Sequence, residues 1–318
     1  MSLRIEVRRG GLVETIHPVS AVVVGGGRVR WSVGEDLASF WRSASKPFQL
    51  WNSVEQLPAG TVASLDDRQL AVGAASHNGE PGHVELVQAL LARFGLDEGG
   101  LQCGAHLPSH EPAARAVAHA RSIHNNCSGK HTFMLAACDA RGWKLDYRLL
   151  SHPLQAGNHA RLDELGGVHH GTGIDGCSVP TFHGPLSAFA RAWSTLAGAM
   201  ADEDGTLGRI GLAMSREPWS MSGTNRLDLA VVQQITEPVA VKIGAEGLFC
   251  VALPRRRVGI AVKVHSGNSD VLAVAVRAVL EQIGVPTVGR WHWDDVKNVR
   301  GAVVGDRRPV WGVAQKTE

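Results

Sequence analysis

Arg42-Ser43-Ala44-Ser45-Lys46-Pro47 sets a serine and a lysine three residues apart, where the pattern turns helical. At that spacing both side chains fall on one face of a first turn. The hydroxyl would lie in the positive field of the helix start and the amine could take its proton, which is how lysine activates a serine nucleophile. The same residues also read as a capping serine beside a solvated lysine. A second hydroxyl comes from Ala74-Ala75-Ser76-His77-Asn78-Gly79-Glu80-Pro81, a loop dense in hydrogen-bonding side chains between apolar helical stretches. Ordinary turn chemistry has the same composition.

His124-Asn125-Asn126-Cys127-Ser128-Gly129-Lys130-His131 contains no aliphatic side chain although both flanks are apolar. Cys127 could be a thiolate nucleophile with His131, one turn on, as its base. It could instead hold a soft metal with a distant second cysteine, or be an inert residue in a polar cap. Gly171-Thr172-Gly173-Ile174-Asp175-Gly176-Cys177-Ser178-Val179-Pro180, preceded by His169-His170, supplies that second cysteine two residues after an aspartate. Its glycines permit close backbone approach to a ligand. Neither cysteine is in a Cys-x-x-Cys pair, which argues against a zinc finger. Cys138 and Cys250 read as core, and Cys103 fits either role. Lys263 shares a strand face with Ala261, opposite Val258, Ile260 and Val262; it is solvated, or a further base if that face meets the helices.

Strand patterns at Arg4–Arg8, Leu12–His17, Val19–Val24 and Arg28–Val33 open the chain, and further ones follow at Val239–Ile243, Leu248–Leu253 and Val258–Val264. Between them apolar residues recur at helical spacing in Leu65–Ala75, Val84–Phe94, Ala113–Ala120, His131–Ala140, Ala188–Ala199 and Leu227–Ile235, and a closing helix is predicted over Asp270–Ile283. Strands at both ends of a helical middle predict an α+β fold: one antiparallel sheet from residues of about 1–42 and 238–318, with a helical lobe of about 43–237 inserted. A ligand cleft is expected where the two meet.

Composition narrows the function further. The formal charge of +2 over 318 residues excludes nucleic-acid binding by bulk charge. No uncharged apolar run is long enough to span a membrane. The charged, strand-like Met1–Gly11 does not read as a secretory signal, and five widely spaced cysteines suit a reducing compartment, so a cytoplasmic protein is expected. Only seven of the 32 cations are lysine. Arginine never accepts a proton at ordinary pH, whereas a desolvated lysine can, so these few positions matter.

Taken in order, the motifs resemble the bacterial L-asparaginase II family of the thermolabile rhizobial type. The matching pieces are Arg42-Ser43-x-x-Lys46-Pro47, Ala75-Ser76-His77-x-Gly79-Glu80-Pro81, Cys103-Gly104-x-His106 and the run from His124 to His131. His152-Pro153-x-Gln155 and Asp175-Gly176-Cys177-x-x-Pro180 complete the set. The resemblance implies a serine β-lactamase-like or glutaminase-like fold, a homodimer, and hydrolysis of L-asparagine to aspartate and ammonia. It further implies Ser43 as nucleophile with Lys46 as base, and a second tandem of Ser76 with Lys263. Cys127, Lys130 and Cys177 would bind zinc, while Arg42, His77, Asn125, His131 and Asp175 would line the substrate site. Glutamine, β-aspartyl compounds or small peptides are alternative substrates, and a non-catalytic amino-acid-binding protein is the other reading. Ser222 and Asn225 stand where alanine and glycine are expected, and Ile243 stands where glycine is usual.

Overall fold

A computed structural model describes residues 1–166, 170–288 and 291–312; His169 lies outside them. The strands, in chain order, are β1 Ser2–Arg9, β2 Leu12–Gly25, β3 Arg28–Val33, β4 Ala38–Phe40, β5 Gly171–Ile174, β6 Pro180–Pro185, β7 Ala240–Ile243, β8 Leu248–Leu253, β9 Val258–Val264, β10 Asp295–Lys297 and β11 Val303–Gly312. Eight of them form one antiparallel sheet in the order β10-β11-β1-β2-β9-β8-β7, with β3 also on β2. Both ends of the chain therefore build one sheet, as the strand–helix–strand pattern predicts.

Three details differ from the sequence expectation. The two short patterns Leu12–His17 and Val19–Val24 form a single strand, whose pairing passes from β1 to β9 at Val19, just after Pro18. A proline can sit there because the β9 ladder, which needs backbone donors, starts one residue later. Val303–Gly312, outside the strand patterns read from the sequence, is a ten-residue strand against β1. A small sheet, β4-β6-β5, also sits within the helical region.

The helical lobe runs from Lys46–Val54 to Leu227–Gln234. Helix Leu186–Asp202 lies against β2, β8 and β9. Its contact is backbone to backbone at Gly259, where a Cβ would sit 2.1 Å from Ser194 N. That closeness shows that the face of β9 carrying Gly259, Ala261 and Lys263 looks onto the lobe. Helix Ser269–Gln282, buried along Val271–Val276 and Ala278–Leu280, packs on β1, β9 and β11 and covers the sheet's other side. One apolar cluster joins sheet and lobe, with Trp41, Phe48, Phe189 and Trp193 at the seam. Among the described residues no helix is long and apolar enough to cross a membrane.

Candidate active site

Trp41 fixes where the site begins. Fully buried, it packs against Phe189 at 4.1 Å and Phe48 at 6.0 Å, and its backbone N–H bonds Phe182 O at 2.9 Å. Arg42, next in the chain, takes φ +45°, a left-handed conformation uncommon for a non-glycine residue. Such strain persists only where the surroundings over-determine it, and it recurs at functional sites. Here the Arg42 N–H bonds Thr181 Oγ1 at 3.0 Å and its Nε reaches Asp175 Oδ1 at 2.5 Å. Arg42–Ser45 is a 3-10 turn leading into helix Lys46–Val54, and the Lys46 N–H closes on Ser43 O. In a 3-10 turn residues three apart eclipse, so Ser43 and Lys46 stand one above the other. Ser43 is half-buried, and among the described residues its hydroxyl has no hydrogen-bond partner.

The buried Lys46 amine reaches across to the next segment. Its Nζ donates to Ala75 O at 2.5 Å and lies 2.8 Å from Ser76 Oγ. Ser76 follows helix Asp67–Gly73, whose start is fixed by an Asp66–Gln69 capping box. Gly129 lets the helix Ser128–Arg141 cross that helix closely: a Cβ there would lie 2.2 Å from Val72 O. The crossing carries Cys127 to the Lys46 amine and sets Lys130 beside Cys127.

Cys127, Lys130 and Cys177 converge. Lys130 Nζ donates to Cys177 Sγ at 3.2 Å, and Cys177 in turn donates to Cys127. That hydrogen bond, with Lys46 and Lys130 nearby, holds the Cys127 thiol well below its ordinary range, while Cys177 is pushed up. Burial pushes the Lys130 amine down, but the sulfurs and Asp175 outweigh it and the net shift is upward. Asp175 is likewise raised by burial yet ends lowered, because Lys130 and Arg42 flank it. Hydrogen bonds and charges thus connect Ser76, Lys46, Cys127, Cys177, Lys130, Asp175 and Arg42, ending beside Ser43. His131 is buried next to Lys130. Its Nδ1 lies 2.9 Å from the Tyr147 hydroxyl, and its buried Nε2 has no partner among the described residues. Burial, then Lys130 and Lys46, holds the ring well below its ordinary pKa.

Three of the expected residues do something else. Lys263, proposed to pair with Ser76, caps Glu246 O instead, and Ser76 belongs to Lys46. The reason is register: Lys242 pairs with Cys250 and Cys250 with Ala261, so Lys263 lies one pleat beyond, beside the β7–β8 turn. Asn125 gives its amide to Cys103 O and Gly104 O and its carbonyl to the Cys127 N–H, so it shapes the loop and has no group left for a substrate. His77 accepts from the Gly79 N–H and bonds Ser128 Oγ at 3.0 Å, which commits both ring nitrogens. Two other cysteines are inert: burial above all raises Cys103, which lies near Cys127, and Cys138 each to about 12.

Lys242 is the residue the sequence reading passed over. Fully buried on β7, it lies 3.7 Å from Asp228 Oδ1. Burial above all lowers its pKa to about 7, with Lys46 and Arg226 adding to the effect and Asp228 opposing it. A visible signal existed in Lys242-Ile243-Gly244, a Lys-x-Gly on a strand, which accompanies Ser-x-x-Lys in penicillin-recognising enzymes.

A profile of the L-asparaginase II family matches residues 5–309. The chain belongs to the L-asparaginase II family. The family places it among hydrolases acting on asparagine-like amides. No curated protein gives a significant match in sequence. A solved β-lactamase from Mycobacterium bovis is similar to this asparaginase II chain with a TM-score of 0.42 and 15% identity, over 83% of this chain and 94% of that one. Asn225, where the motif resemblance leads one to expect glycine, has φ +60°. Asparagine tolerates that left-handed turn better than most residues, which explains how it replaces the expected glycine.

Proposed function

We propose that the protein hydrolyses L-asparagine to L-aspartate and ammonia, with Ser43 as nucleophile and Lys46 as its base. The observation that carries this reading is the buried Lys46 amine, held 2.8 Å from Ser76 by a residue one 3-10 turn beyond Ser43, whose hydroxyl has no partner among the described residues. Ser43 Oγ attacks the side-chain amide carbon and its proton passes to Lys46 Nζ. The backbone N–H of Ser43, without a partner among the described residues, stabilises the oxyanion. The proton then moves through the Ser76 hydroxyl to the amide nitrogen, the C–N bond breaks, and ammonia leaves. Water hydrolyses the resulting β-aspartyl ester by the reverse proton path. Lys242, in place of Lys263, is the second lysine of the site. With a pKa of about 7 it is partly a free amine near neutrality, as a general base requires.

Ser43→Ala is expected to abolish ammonia release from asparagine, and mass spectrometry of quenched wild-type protein should find a β-aspartyl group on the Ser43 peptide. An adduct on the Ser76 peptide, with turnover retained in Ser43→Ala, would move the nucleophile to Ser76.

The donor set of Cys127, Lys130 and Cys177 fits zinc. Two sulfurs and one amine converge in a buried place, and three protein ligands leave a position open. Among the described residues no three His, Cys, Asp or Glu side chains form such a group, so the set depends on Lys130. When bound, zinc would supply a Lewis-acid centre for the substrate's α-amino group. Purified protein is expected to carry about one zinc per chain, and Cys177→Ser to lose it; full occupancy in that variant would exclude these ligands.

A further inference from the structure

We propose that Arg226 receives the α-carboxylate of the amino-acid amide, and so makes the site select amino acids over simple amides. The proposal rests on the amidohydrolase reading and adds a substrate-recognition residue to it.

An amino-acid substrate brings a full negative charge into the site, and a buried carboxylate needs a cation with hydrogen-bond donors. Each candidate cation but one is already engaged. Arg42 is held by Asp175 at 2.5 Å, Lys130 by Cys177 at 3.2 Å, and Lys242 lies 3.7 Å from Asp228. Lys46 gives its amine to Ala75 O and Ser76. Arg226 differs: among the described residues its side chain makes no ion pair or hydrogen bond, although its Nε is buried. The residue is only partly buried, so its terminal nitrogens stay reachable while the buried Nε–H is left as a donor that an incoming anion can satisfy.

The neighbouring residues place Arg226 between the two halves of the site. Two residues before it, Thr224 is clamped to the Ser76 loop. Its N–H and hydroxyl bond Glu80 at 2.8 Å each, and its carbonyl accepts from Asn78 at 2.8 Å. Further back, Met221 O accepts from the Ser76 N–H at 3.1 Å. Two residues after Arg226, Asp228 binds the Ile243 N–H at 2.6 Å and lies against Lys242. Arg226 is thus strung between Ser76 on one side and Lys242 on the other. Its charge acts on His77 and on Lys242, consistent with that position. Guanidinium also supplies the planar fork that matches a carboxylate, which a lysine would not.

The test compares L-asparagine with β-alaninamide, the same amide without the α-carboxylate, in wild-type and Arg226→Gln protein. The wild type should prefer asparagine. Arg226→Gln should raise KM for asparagine at least about tenfold, the usual loss for a charge-assisted pair, and leave β-alaninamide within about twofold. Arg226→Lys should recover only part of the loss. Equal losses on both substrates, or an unchanged KM for asparagine, would overturn the role of Arg226 while leaving the amidohydrolase reading intact. If wild-type protein releases no ammonia from any amide, that reading fails. Calorimetric binding of asparagine then decides the proposal: weaker binding in Arg226→Gln supports it, and equal or absent binding overturns it.

Discussion

Lys242 and Lys263 lie on neighbouring parts of one sheet and on the same face, yet only one belongs to the site. Lys242 pairs across the sheet with Cys250 and, through it, with Ala261. It is fully buried beside Asp228 and under the influence of Lys46. Lys263 stands one pleat further on, level with Leu248, where the β7–β8 turn offers Glu246 O as a partner. Burial lowers its pKa and Glu246 opposes that shift. Two lysines with the same alternation signal thus have different roles, because a shift of two residues along a strand moves a side chain by about 7 Å. Alternation specifies the face, and only pairing specifies the position along it.

The largest effect that would break this comparison is catalytic. Lys242→Met should lower ammonia release from asparagine by about a hundredfold or more, the range for loss of a general base, with the fold checked by circular dichroism. An equal or greater loss in Lys263→Met would reverse the assignment.

An intermediate effect is expected on stability. Lys242 has a folded pKa of about 7 against 10.5 for the ordinary group. Between those values the unfolded chain binds the proton and the folded one does not, so this group's contribution rises as pH increases from about 7 to 10.5. Below pH 7 it is constant in the wild type. Asp228→Asn removes the acid that most favours the charged amine, ahead of Cys127, which lowers the pKa further. That variant should be less stable by about 3 kcal/mol near pH 6, and the gap should close above about pH 8, where the amine is neutral in both proteins. A pH-independent gap in urea melts would show that the pair is not charged.

The smallest effect belongs to Lys263. Removing its amine frees one loop carbonyl at the sheet's end, so Lys263→Met should change stability by about 0.5–1 kcal/mol and asparagine turnover by less than about threefold.

Much of the rest of the site was legible from spacing. Ser43 and Lys46 are three apart in a turn, and no tertiary contact is needed to align them. Cys127 and Lys130 share a helix start for the same reason. The partners across segments were not legible in this way. Cys177 reaches Lys130 from a loop 47 residues away, and Lys46 reaches Ser76 from 30 residues away. His77 and Asn125 sit in the right motifs, but their polar atoms are used up by backbone and by Ser128, which depends on how the loops pack. Arg226 carries no local signal at all, since its lack of a partner among the described residues is a property of everything around it.

What the sequence by itself determined is local and periodic: strands at both ends, a helical middle, and the turn that sets Ser43 and Lys46 three residues apart. Backbone geometry and the alternation of apolar residues are encoded within a few positions, so they survive without knowledge of the fold. The tertiary structure decided which lysine enters the cleft, which donors are already satisfied and which cation is left over. Those outcomes follow from sheet register and from the close crossing at Gly129, where two backbones approach because one residue has no side chain.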